Sequence, residues 1–217
     1  MSTQAELFSP SPIDTLAFEK TARLQGYLHI AGVDEAGRGP LAGPVTAAAV
    51  ILPEGMHISG VDDSKKLTSK KREQLFDVIM SKALAVGIGT AAPEVIDRIN
   101  ILQATRLAML KAVELLSPQP DYILIDGITL IDSPILQKTV IKGDSLSLSI
   151  AAASIIAKVS RDRLMVEMDT LYPGYGFAGH KGYGSASHLE AIRRLGPCPI
   201  HRLTFGGVKE HVTCPSS

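Results

Sequence analysis

Two adjacent carboxylates, Asp34 and Glu35, stand directly before a loop of glycine, arginine and proline in the stretch VDEAGRGPLAGP, Val33 to Pro44. Like charges about 4 Å apart repel by roughly 4 kcal/mol at the dielectric typical near a protein surface, so something positive is expected close by. Asp126 closes the apolar run DYILIDG, and Asp144 follows the β-branched run KTVIKGD. All four carboxylates lie at ends of expected strands, where ligands of helix-flanked sheets sit, and they can converge on one edge. Several carboxylates at one edge stay ionised only beside cations, and oxygen-only ligation suits hard ions such as Mg²⁺ and Mn²⁺. Two such ions about 4 Å apart can activate a water and stabilise a leaving oxygen, which makes phosphodiester hydrolysis the chemistry to test. Asp before Gly at a strand end is also ordinary turn chemistry. Adjacent strand residues moreover point to opposite faces, so Asp34 and Glu35 share a site only if the backbone bends, as Gly37 permits.

The elements that must position these groups follow from hydrophobic periodicity. YLHIAGVDEAG and VTAAAVILP read as an antiparallel strand pair joined by the Gly/Pro loop, and ALAVGIGTAA as a third strand. DYILIDG is a strand buried on both faces and KTVIKGD a fifth. A helix follows the basic stretch DSKKLTSKKR, with Thr68 or Ser69 as its N-cap. Pro93 opens one long helix that carries Val95, Ile96, Ile99, Leu102, Leu107, Leu110 and Val113 at helical spacing. An Ala-rich helix starts near Ser147, and a Gly/Tyr loop leads to a short helix with a Ser187/Glu190 capping box and a stop at Gly196. The pattern predicts an α/β protein: a mixed five-stranded sheet flanked by helices, with a small helical C-terminal segment from about residue 172. Residues 1–26, Ser- and Pro-rich at the start, are expected to be a loosely ordered leader, 27–208 the catalytic domain and 209–217 a tail.

Composition bounds what such a domain can do. At 217 residues the chain can bury on the order of 70% of its unfolded surface, so it needs no disulfide or structural metal for stability. The formal net charge is zero, which excludes a generic polyanion binder of the strongly basic kind and confines any nucleic-acid contact to local patches. Two cysteines, Cys198 and Cys214, are too few for a disulfide framework and suit a reducing compartment. The N-terminus lacks a basic start followed by an apolar core, and no apolar run reaches the ~18 residues of a membrane helix; a cytoplasmic location without membrane contact is expected.

The stretches GVDEAGRGPLAGPVTAAAVIL, VDDSKKLTSKKRE, LIDG, KGDSLSLSIAAASIIAKVSRD and GHKGYGS, spread over residues 27–208 in a fixed order, together resemble ribonuclease HII, the type 2 ribonuclease H family. The resemblance implies a ribonuclease H-like fold and an endoribonuclease acting on RNA/DNA hybrids or on single ribonucleotides embedded in duplex DNA. It implies cutting on the 5′ side of the ribonucleotide to leave 3′-hydroxyl and 5′-phosphate ends. By motif match, Asp34, Glu35, Asp126 and Asp144 would be the catalytic ligands of Mn²⁺ or Mg²⁺. Gly37, Arg38 and Gly39 would read the 2′-hydroxyl, largely through backbone. Tyr183 would pack on the deoxyribose after the ribonucleotide, and Lys65 would contact a phosphate. Nothing demands more than a monomer. Two departures from the family pattern, Thr204 for serine and Gly207 where proline is common, put the geometry of the HRLTFGGV loop in question. The competing readings are a DNA nuclease or recombinase of the same fold and a non-catalytic hybrid-binding module.

Other polar groups have plainer explanations. Asp62 and Asp63 face Lys65 and Lys66 in a loop and suit turn or local charge pairing. Asp162 is expected to pair with Lys158, and Arg163 with Glu167, each four residues apart on a helix. The run Lys65 to Arg72 reads by itself as a solvated helix start; the resemblance makes it a nucleic-acid patch. Cys198, His201, His211 and Cys214 have C-x-x-H and H-x-x-C spacings that could form a zinc site, although Pro197 and Pro199 bracket the first cysteine. GRGPLAG leads into a strand, which argues against a dinucleotide loop, since that loop must open a helix.

Overall fold

A computed structural model of the chain describes residues 14–61 and 67–212. Its sheet is built from β1 (Ile30–Ala36), β2 (Val45–Ile51), β3 (Ala85–Ala91), β4 (Tyr122–Asp126) and β5 (Leu136–Val140), in the order β3-β2-β1-β4-β5. β1, β2 and β3 are antiparallel neighbours, whereas β4 and β5 run parallel to β1. The helices are α1 (Ala17–Leu24), α2 (Ser69–Lys82), α3 (Pro93–Glu114), α4 (Leu148–Leu171), α5 (Phe177–His180) and α6 (Ala186–Leu195).

Small residues decide how closely the layers approach. On β3, a Cβ at Gly87 or Gly89 would fall 2.0 Å from the Ala112 carbonyl oxygen or 2.2 Å from that of Ala108, so α3 lies directly on the strand. On the opposite face a Cβ at Gly32 of β1 would meet the α4 backbone, 2.1 Å from the Ser149 carbonyl carbon. The period-2 pleat then sorts the core. Ala31, Val33, Ile123 and Ile125 pack in the α3 cluster, while Ile30, Tyr122 and Leu124 pack with Ile150 of α4. Asp34 and Asp126 continue this second row, toward α4. No helix among the described residues is long and apolar enough to cross a membrane.

Three expectations are corrected. Within the presumed leader, residues 17–24 form α1, whose Glu19 is buried and accepts hydrogen bonds from Ser147 Oγ (2.7 Å), Ser149 Oγ (2.7 Å) and Ser149 N (3.0 Å) at the start of α4. An apolar pattern carried by little more than Phe18 and Ala22 is too short to announce a helix whose main anchor is a carboxylate. The long helix from Pro93 is broken at Asn100 (φ 66°, ψ 164°), whose Oδ1 accepts from Leu102 N and Gln103 N and so caps the second half. The cap of α6 is Ser185, which accepts from His188 N at 3.2 Å, rather than Ser187 with Glu190; Glu190 pairs instead with Arg193. As expected, Thr68 caps α2 and Gly196 with φ 74° ends α6, and Ser147, near the expected start of the Ala-rich helix, is the cap of α4.

Candidate active site

The site grows from the end of β1. Pairing with β4 stops at Val33–Ile125, whereas pairing with β2 runs on to Ala36–Thr46 without a bulge. No bulge therefore interrupts β1 at Glu35. Past Val33 the strand has no paired neighbour on its β4 side, and Glu35 and Asp34 both reach the cavity that opens there, together with Asp126. Asp34 is 5% exposed, and its Oδ1 accepts from Glu35 N at 2.7 Å. Burial first, then the charges of Glu35 and Asp126, hold its carboxyl well above the usual carboxylate range, against a hydrogen bond from Ser154 that favours the ionised form. Asp126 Oδ1 accepts from Gly143 N at 2.7 Å, which draws the turn Gly143–Ser145 against it. Asp144, also 5% exposed, lies in that turn directly after Gly143.

The positive group expected beside the carboxylate pair is Arg38, whose Nη1 lies 3.3 Å from Glu35 Oε1. Gly37, Arg38 and Gly39 form one wall of the cavity, and the half-exposed ring of Tyr183 faces them; its Cε1 lies 3.9 Å from where a Cβ on Gly39 would sit. Lys65 lies outside the described residues. Sequence reasoning missed Ser154 and Lys158, which also line the cavity. They stand four residues apart on α4, the first inside and the second directly after the alanine- and isoleucine-rich run 150–157, and that spacing was the available signal. Lys158 Nζ sits 2.8 Å from Asp162 Oδ1, as expected, and 5.9 Å from the Tyr183 ring centroid.

Among the described residues, no group of three His, Cys, Asp or Glu is gathered tightly enough to enclose an ion by itself. The neighbouring carboxylates Asp34, Glu35 and Asp126 nevertheless fit a hard divalent cation, which would offset the repulsion that, after burial, raises the Asp34 carboxyl. The alternative zinc set fares worse. Cys214 lies outside the described residues, burial pushes the Cys198 thiol up, and His201 spends one ring nitrogen on Cys198 and the other on His188 Nε2 at 3.1 Å. Arg163 does not pair with Glu167 as expected; it reaches across to Glu73 on α2 at 2.5 Å. Both departures in the HRLTFGGV loop have a physical account. Thr204 Oγ1 donates to Asp97 at 2.6 Å, as a serine hydroxyl could. Gly207 has φ 89° and donates its N–H to Glu210, and proline could do neither.

A mixed sheet of this order, with carboxylates at the ends of its central strands and flanking helices, defines a nuclease of the ribonuclease H-like fold. The family model described as Ribonuclease HII matches residues 31–208. The Ribonuclease HII of Pelobacter propionicus is 71% identical over 214 residues, covering 99% of this chain and 98% of the relative. The crystal structure of the ribonuclease H2 from Pyrococcus horikoshii OT3 superimposes with a TM-score of 0.70 at 28% identity, over 83% of this chain and 95% of that one. Bst-RNase HIII, solved in complex with Mn²⁺, shares the fold at a TM-score of 0.63 and 23% identity, over 88% of this chain and 71% of that one. The chain belongs to the ribonuclease HII family and is an endoribonuclease that acts on RNA/DNA.

Proposed function

We propose that the chain cuts the phosphodiester on the 5′ side of a ribonucleotide, in an RNA/DNA hybrid or embedded singly in duplex DNA, leaving 3′-hydroxyl and 5′-phosphate ends. Asp34, Glu35, Asp126 and Asp144 would hold two divalent ions, Mn²⁺ or Mg²⁺, at the cleaved bond. The observation that carries the reading is that one cavity is lined both by Asp34, Glu35 and Asp126 and by Gly37, Gly39 and Tyr183. Bound there, the ions would supply Lewis-acid activation of water and stabilise the leaving oxygen. The remaining work belongs to the chain. Arg38 orients Glu35, and Ser154 hydrogen-bonds Asp34 in the sense that favours its ionised form, without outweighing burial and the neighbouring charges. The glycine wall lets backbone approach a sugar closely, and a 2′-hydroxyl is the one local group that separates RNA from DNA. The Tyr183 ring offers its face to the sugar that follows. Lys158, and Lys65 beyond the described residues, would meet phosphates. Every one of these groups comes from a single copy of the chain, so the reading requires only a monomer.

Mapping the cut in a DNA duplex with one ribonucleotide, with Mn²⁺ and Mg²⁺ in turn, tests polarity and cofactor together. Asp126→Asn should lower the rate by at least about a hundredfold while leaving the fold intact. Full activity in that variant would remove Asp126 from the site, and a duplex bound but left uncut by the unaltered protein would sink the cleavage reading.

A further inference from the structure

Arg161 of α4 and Arg202 are 1% and 0% exposed, the two largest fully buried side chains among the described residues. A buried cation is costly, and an aliphatic side chain of similar volume would commonly serve stability as well or better. All six hydrogen bonds that their guanidinium groups make among the described residues end on backbone carbonyls. Arg161 donates to Pro44 O, Ala42 O and Lys181 O, each at 3.0 Å. Arg202 donates to Gly43 O at 3.0 Å, Arg38 O at 2.7 Å and Gly37 O at 2.5 Å. Five of the six acceptors thus belong to the loop between β1 and β2, and the sixth stands two residues before Tyr183.

The loop has good reason to need such holding. Gly37 and Gly43 sit at φ 91° and 82°, and glycine backbone has more freedom to lose than any other. A trans peptide points its C=O and N–H in opposite directions. With Gly37 O and Arg38 O turned inward onto Arg202, the N–H groups of the same two peptides, those of Arg38 and Gly39, are turned away from it, and the same three residues line the cavity. Neither N–H donates a hydrogen bond among the described residues. A charged donor on each carbonyl also polarises the peptide and strengthens its N–H as a donor. Arg202 is itself moored: Leu203 N, Thr204 N and Thr204 Oγ1 all donate to Asp97 on α3, at 2.8, 3.0 and 2.6 Å.

We infer that Arg161 and Arg202 are positioning residues for ribonucleotide selection: they join the glycine loop to the Tyr183 loop and aim the Arg38 and Gly39 N–H groups at the ribose. The inference rests on the reading that Gly37 to Gly39 sense the 2′-hydroxyl. Binding in EDTA, read by fluorescence anisotropy apart from cleavage, tests it with a duplex carrying one ribonucleotide and the matching all-DNA duplex. Arg202→Lys should narrow the preference for the ribonucleotide duplex by about tenfold while all-DNA binding stays within about twofold. Thr204→Val, an exposed change that loosens the mooring without touching the buried guanidinium, should narrow it by about threefold and serves if Arg202→Lys does not fold. Equal weakening of both duplexes, or an unchanged preference, overturns the inference. Gly39→Ala separates the two levels. If it narrows the preference and the Arg202 and Thr204 variants do not, only the positioning role falls; if it leaves the preference intact, the loop reading falls and takes the positioning role with it.

Discussion

At Asp34 two effects pull together: burial removes water from the carboxylate, and Glu35 and Asp126 repel it. Replacing it with asparagine removes both. Asp34→Asn should therefore stabilise the metal-free protein, by on the order of 1 kcal/mol, while abolishing the response to metal. Unaltered protein should instead gain about 2.7 kcal/mol at a hundredfold excess of Mn²⁺ over its Kd. Differential scanning calorimetry with and without Mn²⁺ checks both, and a less stable apo variant would show that the carboxylates are not in conflict. Neighbouring glycines differ just as sharply. A Cβ on Gly37 would lie 2.0 Å from Arg161 Nε, at a residue with φ 91°, so Gly37→Ala should cost about 2 kcal/mol and lower stability and activity together. Gly39 meets nothing nearer than Tyr183 at 3.9 Å, which makes Gly39→Ala the cleaner probe of sugar recognition.

Elements meet at helix ends rather than only through apolar faces. The N-terminus of α4 is closed by Glu19 from α1, with Leu148 N donating to Thr15 O at 2.8 Å. Truncation by Glu19→Ala leaves Ser149 N and two hydroxyls without this acceptor and should cost about 2 kcal/mol in urea denaturation. An unchanged midpoint would mean that α1 is an ornament on the domain. Because α4 also carries Ser154, Lys158 and Arg161, the segment that looked like a leader supports the element on which the site depends. Lys65, outside the described residues, is tested by salt: Lys65→Ala should weaken substrate binding and lower the slope of log K against log salt by about 1 if Lys65 meets a phosphate.

Across the whole molecule, the C-terminal segment is held by a chain of neutral histidines. His188 Nδ1 meets Tyr183 O at 2.9 Å, and the ring nitrogens of His188 and His201 face each other at 3.1 Å, so one must accept. His201 Nδ1 in turn accepts from Cys198 N. Burial pushes both rings down, His201 from 6.5 to about 4. The unfolded chain thus takes up protons that the folded one refuses, and stability is full above pH 6.5 and declines as the pH falls toward about 4. Melting temperature should be level above about pH 7 and fall through that window, more steeply than in His201→Asn. A parallel fall in the variant would place the acid sensitivity elsewhere.

The mixed five-stranded sheet was legible in the sequence because apolar runs and the turn residues that bound them are local properties. The buried arginines were not legible. Arg161 sits in a run that reads as a surface helix turn, and only the fold shows that its neighbours are carbonyls from residues more than a hundred positions away. The same holds for Glu19 as an anchor and Ser185 as a cap. Residue type and spacing alone thus determined which groups could do chemistry and roughly where the chain would place them. Which of them share a cavity, and how Asp34 and Glu35 do so without a bulge, was decided by the tertiary structure, because β4 ends its pairing with β1 just before the two carboxylates.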